Sequence, residues 1–162
     1  MNGSIVCGVD GSSDSHRALG VAAQFARRLG AKLIVANVVA YVPDPVVPTN
    51  AYAPMAHWTG YGPPMTERRT DADMEASEAL LEHAVAEVAV DGAELRTMLG
   101  IPAERLADLA DDEGADLIVV GSRGRGSFKA AFLGSVSNSL IGIARCPVLV
   151  VPRGAAETAA AP

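Results

Sequence analysis

The chain has 162 residues, 49% hydrophobic and 20% charged, with a formal net charge of -6, which suits one domain with its own core and leaves no room for a second full domain. The acidic balance excludes the broad basic face that a nucleic-acid duplex requires, so no nucleic-acid partner is expected, and no apolar run reaches the length that crosses a bilayer, so no membrane partner is expected either. Cys7 and Cys146 form no CxxC pair and have no histidine at metal-ligand spacing, which sets aside redox and zinc chemistry and makes both expected buried, reduced thiols. With no basic region or cleavage site ahead of residue 4, the protein reads as cytoplasmic.

In chain order, residues 4–9 (SIVCGV) are short and apolar and predict a strand. After DGSS, residues Ala18, Ala22, Phe25 and Leu29 recur at helical spacing up to Gly30, a C-terminal stop. Residues 32–39 (KLIVANVV) predict the second strand. A long helix then carries Met74, Ser77, Leu81, Val85 and Val88 inward and Glu75, Glu78, Glu82 and Glu87 outward, ending at Asp91-Gly92. Residues 94–99 (ELRTML) alternate as a half-exposed strand does. Pro102 suits the first turn of a third helix bearing Leu106, Leu109 and Ala110, and residues 116–120 (DLIVV) read as a strand buried on both faces. A fourth helix is expected to open near Val136, and residues 147–151 (PVLVV) form the fifth strand.

Five strands interleaved with four helices predict an α/β fold: one doubly wound parallel sheet with helices on both faces and right-handed crossovers. The half-exposed third strand belongs at an edge and the apolar first and fourth in the middle, which gives the order 3-2-1-4-5. Two inter-strand steps of roughly 4.8 Å then hold Cys7 and Cys146 beyond the roughly 7 Å limit for a disulfide. Ligands of such sheets bind beyond the carboxyl ends of the strands, where the strand order reverses. Here the reversal lies between strands 1 and 4. DGSS follows strand 1 there, and GSRGRGSFKAAFLGSVSNS (residues 121–139) follows strand 4.

That second segment holds four glycines, five serines, three cations and no acid. The asymmetry extends around it: residues 1–116 carry 18 of the 19 acids against 8 bases, whereas residues 117–149 carry Arg123, Arg125, Lys129 and Arg145 alone. Four cations are too few for a nucleic-acid groove but suffice for one small phosphorylated ligand. Gly121 and Gly124 let the backbone approach a ligand, and Gly134 and Ser135 stand where a helix N-terminus offers free N–H groups to phosphate oxygens. The alternative is a flexible glycine turn followed by a serine that merely caps a helix.

The spacing Gly-x2-Gly-x9-Gly-Ser at Gly121, Gly124, Gly134 and Ser135 resembles the nucleotide-binding motif of the universal stress protein family. The opening IVCGVDGSSDSHRAL, the stretch GIPAERLADLADDEGADLIVVGSRG and the closing CPVLVVPR also resemble that family, so the likeness spans residues 4–153. It implies the ATP-binding branch, a homodimer, and a regulatory role in stress or dormancy with at most slow hydrolysis. It further implies that Asp10 reaches the adenosine with Val9 flanking it through backbone contacts, and that Val38 packs on adenine. Gly121, Arg123 and Gly124 are implied along the ribose and phosphates, and Gly134, Ser135, Val136 and Ser137 around the phosphate tail. Arg123 has the alternative of a solvated cation, and Asp10 that of a turn or capping residue before Ser12 and Ser13. With no carboxylate cage evident, Mg2+ is expected to ride on the phosphates of ATP. Substituting a bulky residue at Gly121 or Gly124 is expected to abolish occupancy and leave the fold intact.

Competing readings are a cyclic AMP-binding module, a weak ATP phosphohydrolase or phosphotransferase, a flavin carrier and a phosphorylation receiver. The glycine segment lacks the lysine of a GxxxxGK(S/T) loop, no kinase-like set of metal and base residues is present, and His16, His57 and His83 stand apart from every motif. A receiver needs an aspartate where Val120-Gly121 stands. One domain is expected over residues 1–153, with an insertion at 41–66 and an alanine-rich, frayed tail at 154–162. The insertion holds six of the ten prolines, all three tyrosines and Trp58. It is expected to cover the nucleotide or read a protein partner, the alternative being a mobile insertion. Strand 5 is apolar on both faces yet lies at an edge, so a second copy is expected to cover it through Val148, Leu149, Val150 and Val151.

Overall fold

The computed structural model describes residues 3–40, 65–124 and 133–153, and the side chains of 65–69 are not among the described ones. The predicted tail lies outside the described residues, as does the predicted insertion save Met65 and Thr66, which open a helix. The elements are β1 (Ser4–Gly8), α1 (Ser13–Leu29), β2 (Lys32–Ala40), α2 (Met65–Glu87), β3 (Glu94–Gly100), α3 (Pro102–Asp112), β4 (Leu117–Gly121), α4 (Ser135–Ile143) and β5 (Val148–Val151). The sheet has five parallel strands in the order β3-β2-β1-β4-β5. This is the predicted order.

The order follows from burial. Ile5, Val6 and Cys7 of β1 and Ile118 and Val119 of β4 are at most 1% exposed, which only central strands covered on both faces allow. Alternate residues serve opposite cores. Ile5, Cys7, Leu33, Val35 and Val119 pack with Leu19, Ala22 and Ala23 of α1 and Leu81 and Ala84 of α2. Val6, Ile34, Ile118 and Val120 pack with Leu106 and Ala110 of α3 and Leu140 of α4. β3 is half-buried along most of its length, as an edge strand should be.

Four local expectations change. Phe25 and Leu29 are exposed, because α1 lies against the sheet through Ala18, Leu19, Ala22, Ala23 and Ala26, whose short side chains allow a close approach. The second helix stops at Glu87, ahead of Asp91-Gly92, because Ala89 takes φ 51 and Val90 closes the turn with an N–H bond to the Val85 carbonyl. Ser77 faces the core as predicted but as a polar group: its Oγ lies 2.7 Å from Asn37 Oδ1 and 3.2 Å from Thr97 Oγ1. Both cysteines are free. Cys7 is buried as expected, whereas Cys146 is only partly buried, since it precedes an edge strand.

Candidate functional site

β1 and β4 are neighbours whose chains continue in opposite lateral directions, to β2 and to β5, so the loops at their carboxyl ends share one crevice. In the first loop, Ser12 is the N-cap of α1 and its Oγ accepts from Ser15 N at 3.2 Å. Asp10 Oδ1 accepts from Ser12 N at 3.0 Å and from Ser12 Oγ at 2.6 Å. The turn role weighed for Asp10 is thus realised through one oxygen. The other faces the second loop, where a Cβ placed on Gly124 would lie 2.5 Å from Asp10 Oδ2.

The second loop is held at both ends. Ser122 N donates to Val151 O at 2.9 Å, and Gly134 N donates to Ser122 O at 2.7 Å. A Cβ on Gly134 would lie 3.3 Å from Arg123 Cα, so the 121–124 turn and the start of α4 are packed together, as the spacing predicts. Gly134 takes φ -64 and ψ 161 as the N-cap of α4, with no side-chain cap. The amides of Ser135, Val136 and Ser137 therefore have no intrahelical acceptor, and together with the helix dipole they form a donor set suited to an anion. Residues 125–132, between the two turns, lie outside the described residues.

The predicted contacts do not all stand alike. Ser135 is exposed at the head of α4, and Val136 packs partly into the core between α3, α4 and the sheet. Ser137 is 2% exposed, and its Oγ lies 3.0 Å from Gly134 O and 3.4 Å from Ser122 O, so its hydroxyl braces the turn from within. Val9 N donates to Ala36 O at 2.8 Å and Val9 O accepts from Asn37 Nδ2 at 2.5 Å, which leaves one carbonyl lone pair for a further contact. Val38 stands near the carboxyl end of β2, half-buried beside its partner Met98. Arg123 is half-buried, with its carbonyl 3.4 Å from Ser12 Oγ.

Gly121 requires a correction. A Cβ there would lie 2.7 Å from Asp14 C, 2.8 Å from Asp14 O and 2.9 Å from Ser15 N, all backbone atoms of α1. A bulky residue at 121 would therefore push against the helix and disturb the fold. The glycine is needed for helix–sheet packing, whereas at Gly124 the obstacle is the Asp10 carboxylate.

Sequence reasoning also missed Asp14, Arg17, Ser122 and Arg153. Ser122 Oγ donates to Asp14 Oδ2 at 3.2 Å, and Asp14 Oδ1 lies 3.3 Å from an Arg17 guanidinium nitrogen and 3.6 Å from Arg153 Nε. An acid in the first turn of α1 is a visible signal, but its partners lie far off in sequence. Among the described residues, no group of three His, Cys, Asp or Glu side chains is placed to hold a metal, and no helix is long and apolar enough to cross a membrane.

Comparison with known proteins matches residues 1–152 to the Universal stress protein family. The chain is similar to a Thermus aquaticus universal stress protein, 34% identical over 147 residues and covering 91% of this chain and 96% of that one. Among solved structures it resembles a universal stress protein in complex with cAMP, at 26% identity and a TM-score of 0.65, covering 92% of this chain and 96% of that one. It also resembles a universal stress protein from Archaeoglobus fulgidus in complex with dAMP, at 25% identity and a TM-score of 0.58, covering 93% and 98%. With the matched family spanning nearly the whole sequence and the sheet order agreeing, the chain belongs to the universal stress protein family.

Proposed function

We propose that this chain is a regulatory module of the stress response that binds an adenine nucleotide, ATP with Mg2+ being the reading the glycine spacing favours. The carrying observation is convergence: the Gly134–Ser122 bond and the approach of Gly124 to Asp10 bring three anchoring points together. The two nucleotide complexes among similar structures support an adenine ligand. In this reading Asp10 and Val9 meet the adenosine, Val38 packs on adenine, and Gly121, Arg123 and Gly124 follow the ribose and phosphates. The amides of Ser135, Val136 and Ser137 then receive the phosphate tail beside Gly134, whose own N–H is held by Ser122 O, with the Ser135 hydroxyl as a further donor. Magnesium enters on the phosphates, since the described residues offer no cage of their own.

Asp10 is the carboxylate that faces Gly124 at this junction, and one of its oxygens is already occupied by Ser12, which argues for binding and at most slow hydrolysis. Cyclic AMP is the second reading, favoured by the complex of a similar protein with that ligand. The protein is proposed to act in the cytoplasm as a homodimer paired through β5. Mass spectrometry of ligand released from freshly purified protein, followed by calorimetry with ATP and with cyclic AMP, tests the assignment. ATP or its breakdown product is expected at one per chain. Protein that releases no adenine compound and gives no binding heat with either ligand at millimolar concentration would end it.

A further inference from the structure

Asp14 is a buried carboxylate, 3% exposed at its side chain, in the first turn of α1. A first-turn acid that only complements the helix dipole can stay in water. This one is enclosed and bonded to a residue 108 positions away. Burying an ionised carboxylate is costly unless it is paired and hydrogen-bonded. The pairing here comes from the Ser122 hydroxyl and from Arg17 and Arg153, whose own side chains are 36% and 67% exposed.

Ser122 is the joint on which the glycine turn is built. Its N–H is fixed to Val151 O at the end of β5, its carbonyl accepts the Gly134 amide, and its hydroxyl donates to Asp14. A guanidinium nitrogen of Arg17 donates to Arg153 O at 2.8 Å, so the chain leaving β5 is clipped to the same carboxylate by side chain and backbone. Three elements, α1, β5 and α4, thus meet through the polar atoms of one serine. Its side-chain anchor is Asp14.

We propose that Asp14 is the positioning residue of the phosphate-facing turn: by holding Ser122 it sets where the Gly134 amide and the start of α4 point, and so favours phosphate-bearing adenine ligands over adenosine. This rests on the nucleotide reading above. Asp14 does not touch the ligand; it acts through Ser122.

The test uses the full chain with Asp14→Asn, Ser122→Ala and Ser122→Thr. Folding is checked by circular dichroism, and Ser122→Ala carries the test should Asp14→Asn fail to fold. Losing the bond itself in Ser122→Ala, and its charge together with the arginine pairing in Asp14→Asn, is expected to weaken ATP binding about tenfold in each. Adenosine affinity is expected to stay within about twofold, because only the phosphate-facing amides are displaced. Ser122→Thr keeps the hydroxyl and should retain ATP affinity. Amide hydrogen exchange at Gly134 is expected to accelerate about tenfold in the first two variants, with or without ligand. Parallel loss of ATP and adenosine binding would reduce Asp14 to a structural residue, and unchanged Gly134 exchange would overturn the positioning itself. Wild-type protein that binds neither ligand would remove the nucleotide reading and its specificity clause, while Gly134 exchange still decides whether Asp14 sets the turn.

Discussion

Gly121 and Gly124 are three residues apart, yet a methyl group at each would meet different matter. At 121 it meets the backbone of α1, which cannot move without shifting a helix; at 124 it meets a carboxylate at the end of a side chain. Gly121→Ala is therefore expected to lose about 1–3 kcal/mol in urea denaturation, the usual cost of overpacking. Gly124→Ala is expected to keep its stability within about 0.5 kcal/mol, as surface changes do, and to lose ATP affinity because Asp10 is displaced. Equal stability losses in the two variants would contradict this division of labour. The sequence presents the two glycines as equivalent members of one motif. Only the placement of α1 over the end of β4 separates them.

At the scale of elements, the two edges of the sheet are not alike. β3 is an edge whose residues are mostly half-buried, and the polar Glu94 and Arg96 on either side of Leu95 show it in sequence. β5 is apolar throughout, with Val148, Leu149 and Val150 only half-buried in the single chain. The adjoining α4 adds Ile141 and Ile143, which are 57% and 47% exposed. An apolar edge that the described residues leave uncovered invites pairing, and a two-fold copy of the same chain is the simplest cover. Sedimentation across the micromolar range is expected to give twice the chain mass. A monomer throughout that range would leave β5 without its proposed partner.

At the scale of the whole molecule, the sheet divides two cores, and Cys7 sits fully enclosed in the one beneath α1 and α2. Burial pushes its thiol from an ordinary 9.0 up to about 12. The unfolded chain then releases this proton near pH 9 while the native chain keeps it, so stability present below pH 9 is lost as pH rises towards 12. The slope from this group is about 1.4 kcal/mol per pH unit at most. Denaturant midpoints of wild type and Cys7→Ala between pH 8 and 11 are expected to converge as pH rises, and parallel pH profiles would show that the thiolate plays no part. Cys146 is raised less simply, by partial burial and by the nearby Asp111 and Asp116, with a backbone hydrogen bond acting the other way.

The sequence by itself determined the five strands, their order and the two loops at the switch point, because a parallel sheet writes its burial into local runs: apolar on both faces in the middle, alternating at the β3 edge. It also determined that residues 121–124 and 134 belong together, since glycines after a buried strand and before a helix constrain the backbone whatever the partners are. Tertiary structure alone decided what each polar group does there. Ser137 turns inward to brace the turn, Ser77 joins Asn37 beneath α2, and Asp14 meets Ser122 across 108 residues. A contact between distant residues leaves no periodicity in the chain, and a hydroxyl or carboxylate reads the same in sequence whether it faces water, a ligand or a backbone carbonyl.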